Sequence, residues 1–85
     1  MRGTIRLRLN SAEGALLRVL GVTVRRGFSP VRLSAEDGPQ PNTMDVVLTV
    51  ESSRPLQRLV AQLEKLLDVS DVEVSGLAPV RTLVQ

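Results

Sequence analysis

The sequence predicts an α+β fold in which a four-stranded antiparallel sheet carries two helices on one face. Four segments alternate apolar and polar residues at the period of a strand, and two others repeat apolar residues at the period of a helix. In chain order they read strand, helix, strand, strand, helix, strand. A further observation sets the neighbours. The outward positions of the first strand hold arginines, while those of the third and last strands hold carboxylates, so these strands attract one another when adjacent.

The first strand is expected over Thr4–Asn10, with Ile5, Leu7 and Leu9 on one face and Thr4, Arg6 and Arg8 on the other. Glu13 or Gly14 opens a helix in which Leu16, Leu17, Leu20 and Val24 recur at helical spacing, until Gly27 supplies a left-handed cap. Gly21 sits inside this helix and is expected to touch the sheet, where a missing side chain permits close approach. Phe28 starts the second strand, whose Val31, Leu33 and Ala35 share a face opposite Arg32 and Ser34. The run Glu36-Asp37-Gly38-Pro39-Gln40-Pro41-Asn42 reads as a loop.

The third strand alternates Met44, Val46, Leu48 and Val50 against Asp45, Val47, Thr49 and Glu51. Ser52 or Ser53 then caps the second helix, with Pro55 in its first turn. Leu56, Leu59, Val60, Leu63, Leu66 and Leu67 form its apolar stripe, opposite Arg58, Gln62 and Lys65. The last strand is expected over Val69–Ser75, with Val72 and Val74 inward. Gly76 and Pro79 end regular structure. Right-handed crossovers fold this βαββαβ order into the ferredoxin-like arrangement, strand order 4-1-3-2. Residues 1–76 then make one domain and 77–85 a short tail.

Composition narrows the chemistry. The 85 residues hold no cysteine, histidine, tyrosine or tryptophan, which removes disulfides, the usual general base, the commonest metal ligand and most stacking platforms. The remaining Ser, Thr, Lys65 and nine carboxylates show no pair placed to activate one another, so no catalytic residue is expected. The pI near 10.4 comes from ten arginines, but the net charge is only +2 and the arginines are dispersed among acids. The outward face offers Arg6, Arg8, Arg32, Asp45, Thr49 and Glu73 rather than aromatics, so nucleic acid is not an expected partner. No apolar run approaches the roughly 20 residues of a membrane span, and the N-terminus shows no signal-peptide core. No membrane association is expected, and the location is expected to be cytoplasmic. A domain of this length buries only about 60% of its unfolded surface, which favours oligomerisation.

Four ordered motifs carry a family resemblance: Gly14-Ala15-Leu16, Arg18-Val19, Arg26-Gly27-Phe28, and Leu63-Glu64-Lys65-Leu66-Leu67-Asp68-Val69. Together they resemble the ACT-domain small subunit of acetolactate synthase, over about residues 4–75. Within the last block only Leu67, in place of valine, departs from the family pattern. The resemblance implies a non-catalytic regulatory subunit that binds and activates the large subunit of that enzyme in branched-chain amino-acid synthesis. The thiamine diphosphate, Mg and FAD would belong to the large subunit, with no cofactor held by this chain. It further implies a homodimer formed through the sheet edge, with an effector site at the dimer interface beside the first strand-to-helix loop. Longer members carry a second domain, so the chain is similar to the short isozyme type.

On that resemblance the candidate effector-binding residues are Ser11, Gly14, Ala15 and Ser29, and Arg26 is a candidate partner contact. Valine-sensitive relatives have asparagine where this chain has Ser11 and Ser29, and Asn10 is one residue early. A hydroxyl is shorter than an amide and cannot offer its paired donor and acceptor, so weak or absent valine feedback is expected. The alternative within the same fold is a free-standing amino-acid-sensing dimer that serves another enzyme. For Phe28 and the apolar stripe of the second helix the expected role is core.

Overall fold

The computed structural model describes residues 1–10 and 14–77. It has the order β1 (Arg2–Asn10), α1 (Ala15–Arg25), β2 (Ser29–Asp37), β3 (Thr43–Glu51), α2 (Leu56–Leu63) and β4 (Val69–Leu77). The strands form one antiparallel sheet in the order β2-β3-β1-β4, the expected ferredoxin-like βαββαβ topology. β1 lies in the interior of the sheet, so its alternation is sharp: Ile5, Leu7 and Leu9 are buried. Val46, Leu48 and Val50 of β3 join them, as do Leu56, Leu59 and Leu63 of α2, in one core with Ala15, Val19 and Phe28.

The opposite sheet face is polar. Across β1 and β3, Arg2 meets Glu51 at 3.2 Å, Thr4 Oγ1 meets Thr49 Oγ1 at 3.1 Å, and Arg8 Nε donates to Asp45 Oδ1 at 2.9 Å. Arg6 and Arg8 are the register partners of Glu73 and Asp71 on β4. The expected charge complementarity thus places β1 between two acid-bearing strands.

Several local expectations are corrected. In α1 the buried face is Ala15, Val19 and Thr23, spaced by four residues, whereas Leu17 and Val24 are 74% and 59% exposed. Thr23 is fully buried because its hydroxyl donates to the Val19 carbonyl at 2.8 Å, so a polar residue completes a core stripe that a hydrophobic count misses. Gly21 does not touch the sheet, since a Cβ built there would meet only the Arg25 side chain. A glycine in that position still costs about 1 kcal/mol of helix stability relative to alanine.

Phe28 precedes β2 rather than starting it. Its N–H donates to the Thr23 carbonyl at 3.1 Å and its ring is buried beneath the helix exit. Glu36 and Asp37 belong to β2, because the hairpin closes one residue later: Gly38 N–H donates to the Thr43 carbonyl at 2.9 Å, and the Thr43 hydroxyl donates to the Gln40 carbonyl at 2.6 Å. Val31, Leu33 and Ala35 are exposed, because β2 is an edge strand.

Ser52 does not cap α2. Its Oγ accepts the Arg54 N–H at 2.9 Å and donates to the Gly27 carbonyl at 3.0 Å, tying the exit of α1 to the entry of α2, while Pro55 is the N-cap and no side chain, Ser53 included, makes a capping hydrogen bond. α2 stops at Leu63. Tight turns follow, in which Leu66 N–H bonds to the Leu63 carbonyl and Val69 N–H to the Leu66 carbonyl. Those turns rotate the chain off the helical stripe, leaving Leu66 partly buried and Leu67 97% exposed. β4 runs through Gly76 to Leu77, and its inward Val74 remains 44% exposed on the outer strand. Pro79 and the rest of the expected tail after Leu77 lie outside the described residues.

The Arg8 hydrogen bond holds the Asp45 carboxyl below the usual carboxylate range, burial opposing this and the Arg8 and Arg6 charges adding to it. A depressed folded-state pKa gives stability that is present above the unfolded value near pH 4 and is lost as pH falls through the folded value. Asp45→Asn should therefore flatten the fall in Tm as the pH drops below about 4, as read by calorimetric scans at stepped pH.

Candidate functional site

The β1-to-α1 connection is built around Gly14. Its φ of 81° is left-handed, so the chain reverses sharply from the strand into the helix, and α1 begins with no side-chain cap. The Arg18 N–H donates to the Gly14 carbonyl at 2.9 Å. The Arg18 guanidinium lies against Gly14, with Nη1 only 3.1 Å from where a Gly14 Cβ would sit, and its Nε donates to Asp68 Oδ2 at 2.5 Å.

Asp68 acts twice here. Its carboxylate holds Arg18 one turn into the helix, and its backbone carbonyl accepts the Asn10 N–H at 2.8 Å where β1 ends. One residue of the α2-to-β4 connection thus grips the entrance and the exit of the loop. Ser70 adds a hydrogen bond from its hydroxyl to the Arg8 carbonyl at 3.1 Å. Sequence reading placed Arg18 and Asp68 in two separate motifs without joining them. Opposite charges in motif blocks fifty positions apart were the available signal.

The candidate residues fall in different places. Ser11 lies outside the described residues. Gly14 is at the loop, and the Ala15 methyl is buried in the core, so only its backbone can face a ligand. Ser29 opens β2 opposite Glu51, at the far end of α1. An eleven-residue helix separates Gly14 from Ser29, about 16 Å at 1.5 Å per residue. One protomer therefore does not bring these two residues together. Arg26 sits at the C-terminal end of α1, where its Nη2 donates to Gln62 Oε1 at 3.0 Å and links the two helices.

Two hollows accompany these residues. One, of ≈ 210 Å³, lies on the open sheet face among Arg6, Arg8, Glu36, Asp45, Asp71 and Glu73. The other, of ≈ 410 Å³, is an apolar groove along α1 from Gly14 to Arg25. Among the described residues no group of three His, Cys, Asp or Glu side chains could hold a metal ion, and no helix is long and apolar enough to cross a membrane.

A small βαββαβ module with a glycine-built loop on the first helix defines a class of regulatory domains. Residues 11–72 match the ACT domain model, and the chain belongs to the ACT domain family, whose members commonly dimerise and bind amino acids. No curated protein sequence matches it. Its fold is similar to the acetolactate synthase small subunit from Thermotoga maritima, with a TM-score of 0.81 at 19% identity over 93% of this chain. The chain spans 50% of that subunit's length. It is also similar to the ACT domain of GTP pyrophosphokinase from Chlorobium tepidum, with a TM-score of 0.72 at 17% identity over 87% of this chain and 96% of that one. Formyltetrahydrofolate deformylase from Burkholderia mallei matches with a TM-score of 0.62 at 19% identity, over 75% of this chain and 23% of that enzyme.

Gly14→Ala should lower stability by about 1–2 kcal/mol, the cost of a left-handed conformation for an L-residue. The added methyl would also crowd the Arg18 guanidinium, whose Nη1 lies 3.1 Å from the Cβ position. Urea unfolding of the two proteins side by side measures this.

Proposed function

We propose that the protein is a regulatory small subunit that binds and activates the catalytic large subunit of an acetolactate synthase in the cytoplasm. It adds no catalytic group and no cofactor; thiamine diphosphate, Mg and FAD are held by the large subunit. The observation that carries this reading is the Arg18–Asp68 contact, which unites in one loop clamp the two motif blocks that resemble that subunit. The likeness to the Thermotoga maritima small subunit supports it. A second reading, a sensor dimer serving another enzyme, is favoured by the comparable likeness to the ACT domain of GTP pyrophosphokinase.

The regulatory unit is a homodimer through the β2 edge. β2 presents nine exposed residues, and its Val31 and Leu33 are 44% and 40% exposed. Antiparallel pairing of two β2 strands about Ser34 would set Arg32 opposite Glu36 twice and Leu33 opposite Ala35 twice, giving opposite charges on the polar face and apolar contact on the other. The same pairing carries Ser29 of the partner subunit from the far end of α1 toward the Gly14 end. An effector site with Ser11, Gly14, Ala15 and Ser29 is then completed only in the dimer. With hydroxyls in place of amides at Ser11 and Ser29, that site has little affinity for valine.

Adding the protein to its cognate large subunit should raise acetolactate formation severalfold, with millimolar valine leaving the rate unchanged. Absence of both association and rate change would replace this reading with the sensor dimer. The dimer itself is checked by charge exchange. Glu36→Arg should shift light scattering toward the 9.2 kDa monomer, and adding Arg32→Glu should restore the dimer.

A further inference from the structure

The groove of ≈ 410 Å³ on α1 lies on the side turned from the sheet and is lined by Gly14, Leu17, Arg18, Gly21, Arg25 and Leu66. Gly21 sits in the middle of a helix that almost any other residue would stabilise. Nothing among the described residues requires a glycine there. It is not among the residues with positive φ, and a Cβ would meet only the movable tip of Arg25, at 3.3 Å. Leu17 is 74% exposed one turn earlier on the same surface. A poor helix former and an uncovered leucine at one spot are both accounted for when another chain lies against that spot, because the missing side chain permits close approach of a partner and the leucine is covered by it.

The charges select the occupant. The lining contains two arginines and no carboxylate. Arg18 is engaged by Asp68, while no carboxylate among the described residues pairs with Arg25. A second copy docked on this face about a two-fold axis would bring like charges together. Residues 78–85 of the chain itself carry Arg81 and no acid. We infer that the groove receives an apolar, carboxylate-bearing segment of the enzyme that the protein regulates, an inference that rests on the regulatory-subunit reading above.

Two variants separate bulk from charge. Gly21→Gln fills the groove while removing the glycine's helix cost, so its Tm should rise by about 4 °C or more even as binding is lost. Arg25→Glu keeps the shape and reverses the sign. In titrations of the full protein against the cognate acetolactate synthase large subunit, each variant should raise Kd at least about tenfold, as for a residue central to an interface. Wild-type affinity in either variant overturns the inference. Dissociation of the Gly21→Gln homodimer would assign the groove to a second copy, and overturns it as well. So does a fall in Tm on deleting residues 78–85 that is absent in the Gly21→Gln background, which would place the chain's own tail there. If the wild-type protein itself fails to bind the large subunit, the regulatory-subunit reading falls, and the groove's assignment with it.

Discussion

β1 has a hydrogen-bonded neighbour on each side, and its inward Ile5, Leu7 and Leu9 are each no more than 3% exposed. Its backbone polar groups and apolar side chains are satisfied only when β3, β4 and the helix layer are all in place. The other elements take their positions from this strand. β3 and β4 pair with it directly, β2 attaches through β3, and the outward arginines of β1 bond carboxylates on β3 and stand in register with carboxylates on β4. Because apolar burial and cross-strand charge favour the same register, a slip by one residue would lose both at once.

The same strand leads into the loop that carries Gly14. β1 ends at Asn10, whose N–H is held by Asp68, and α1 starts after Gly14 under Arg18, which Asp68 also holds. The loop is therefore tied to the α2-to-β4 connection and not only to its flanking elements. Asp68 itself lies between the end of α2 and the start of β4.

Among the described residues, exposed apolar side chains include Val31 and Leu33 on the β2 edge and Leu17 and Val24 on the outer side of α1, besides Met1, Leu67 and Val74. A domain of this size has little stability to spare, so uncovered leucine and valine and a mid-helix glycine are costs that an isolated module would not need. In the proposed assembly the edge joins a second copy and the outer surface of α1 meets the enzyme.

Much of this was legible in the chain. Period-two alternation in β1 and β3, the turn residues between β2 and β3, and the arginine and carboxylate placements were enough for the topology and strand order, because each is a local pattern whose physical meaning does not depend on distant residues. The helix faces were less legible. Leu17, Val24 and Leu67 carry the same apolar signal as Leu59 or Leu63, and only packing decided that they stay outside while Thr23, bonded to its own helix backbone, goes in. The resemblance singled out Gly14, and the predicted helix already separated it from Ser29, but the chain order could not show that Asp68 contacts both Asn10 and Arg18 at the ends of the Gly14 loop. Those facts depend on which segments the closed sheet brings side by side, and a linear pattern does not encode that until the long-range strand pairings are made.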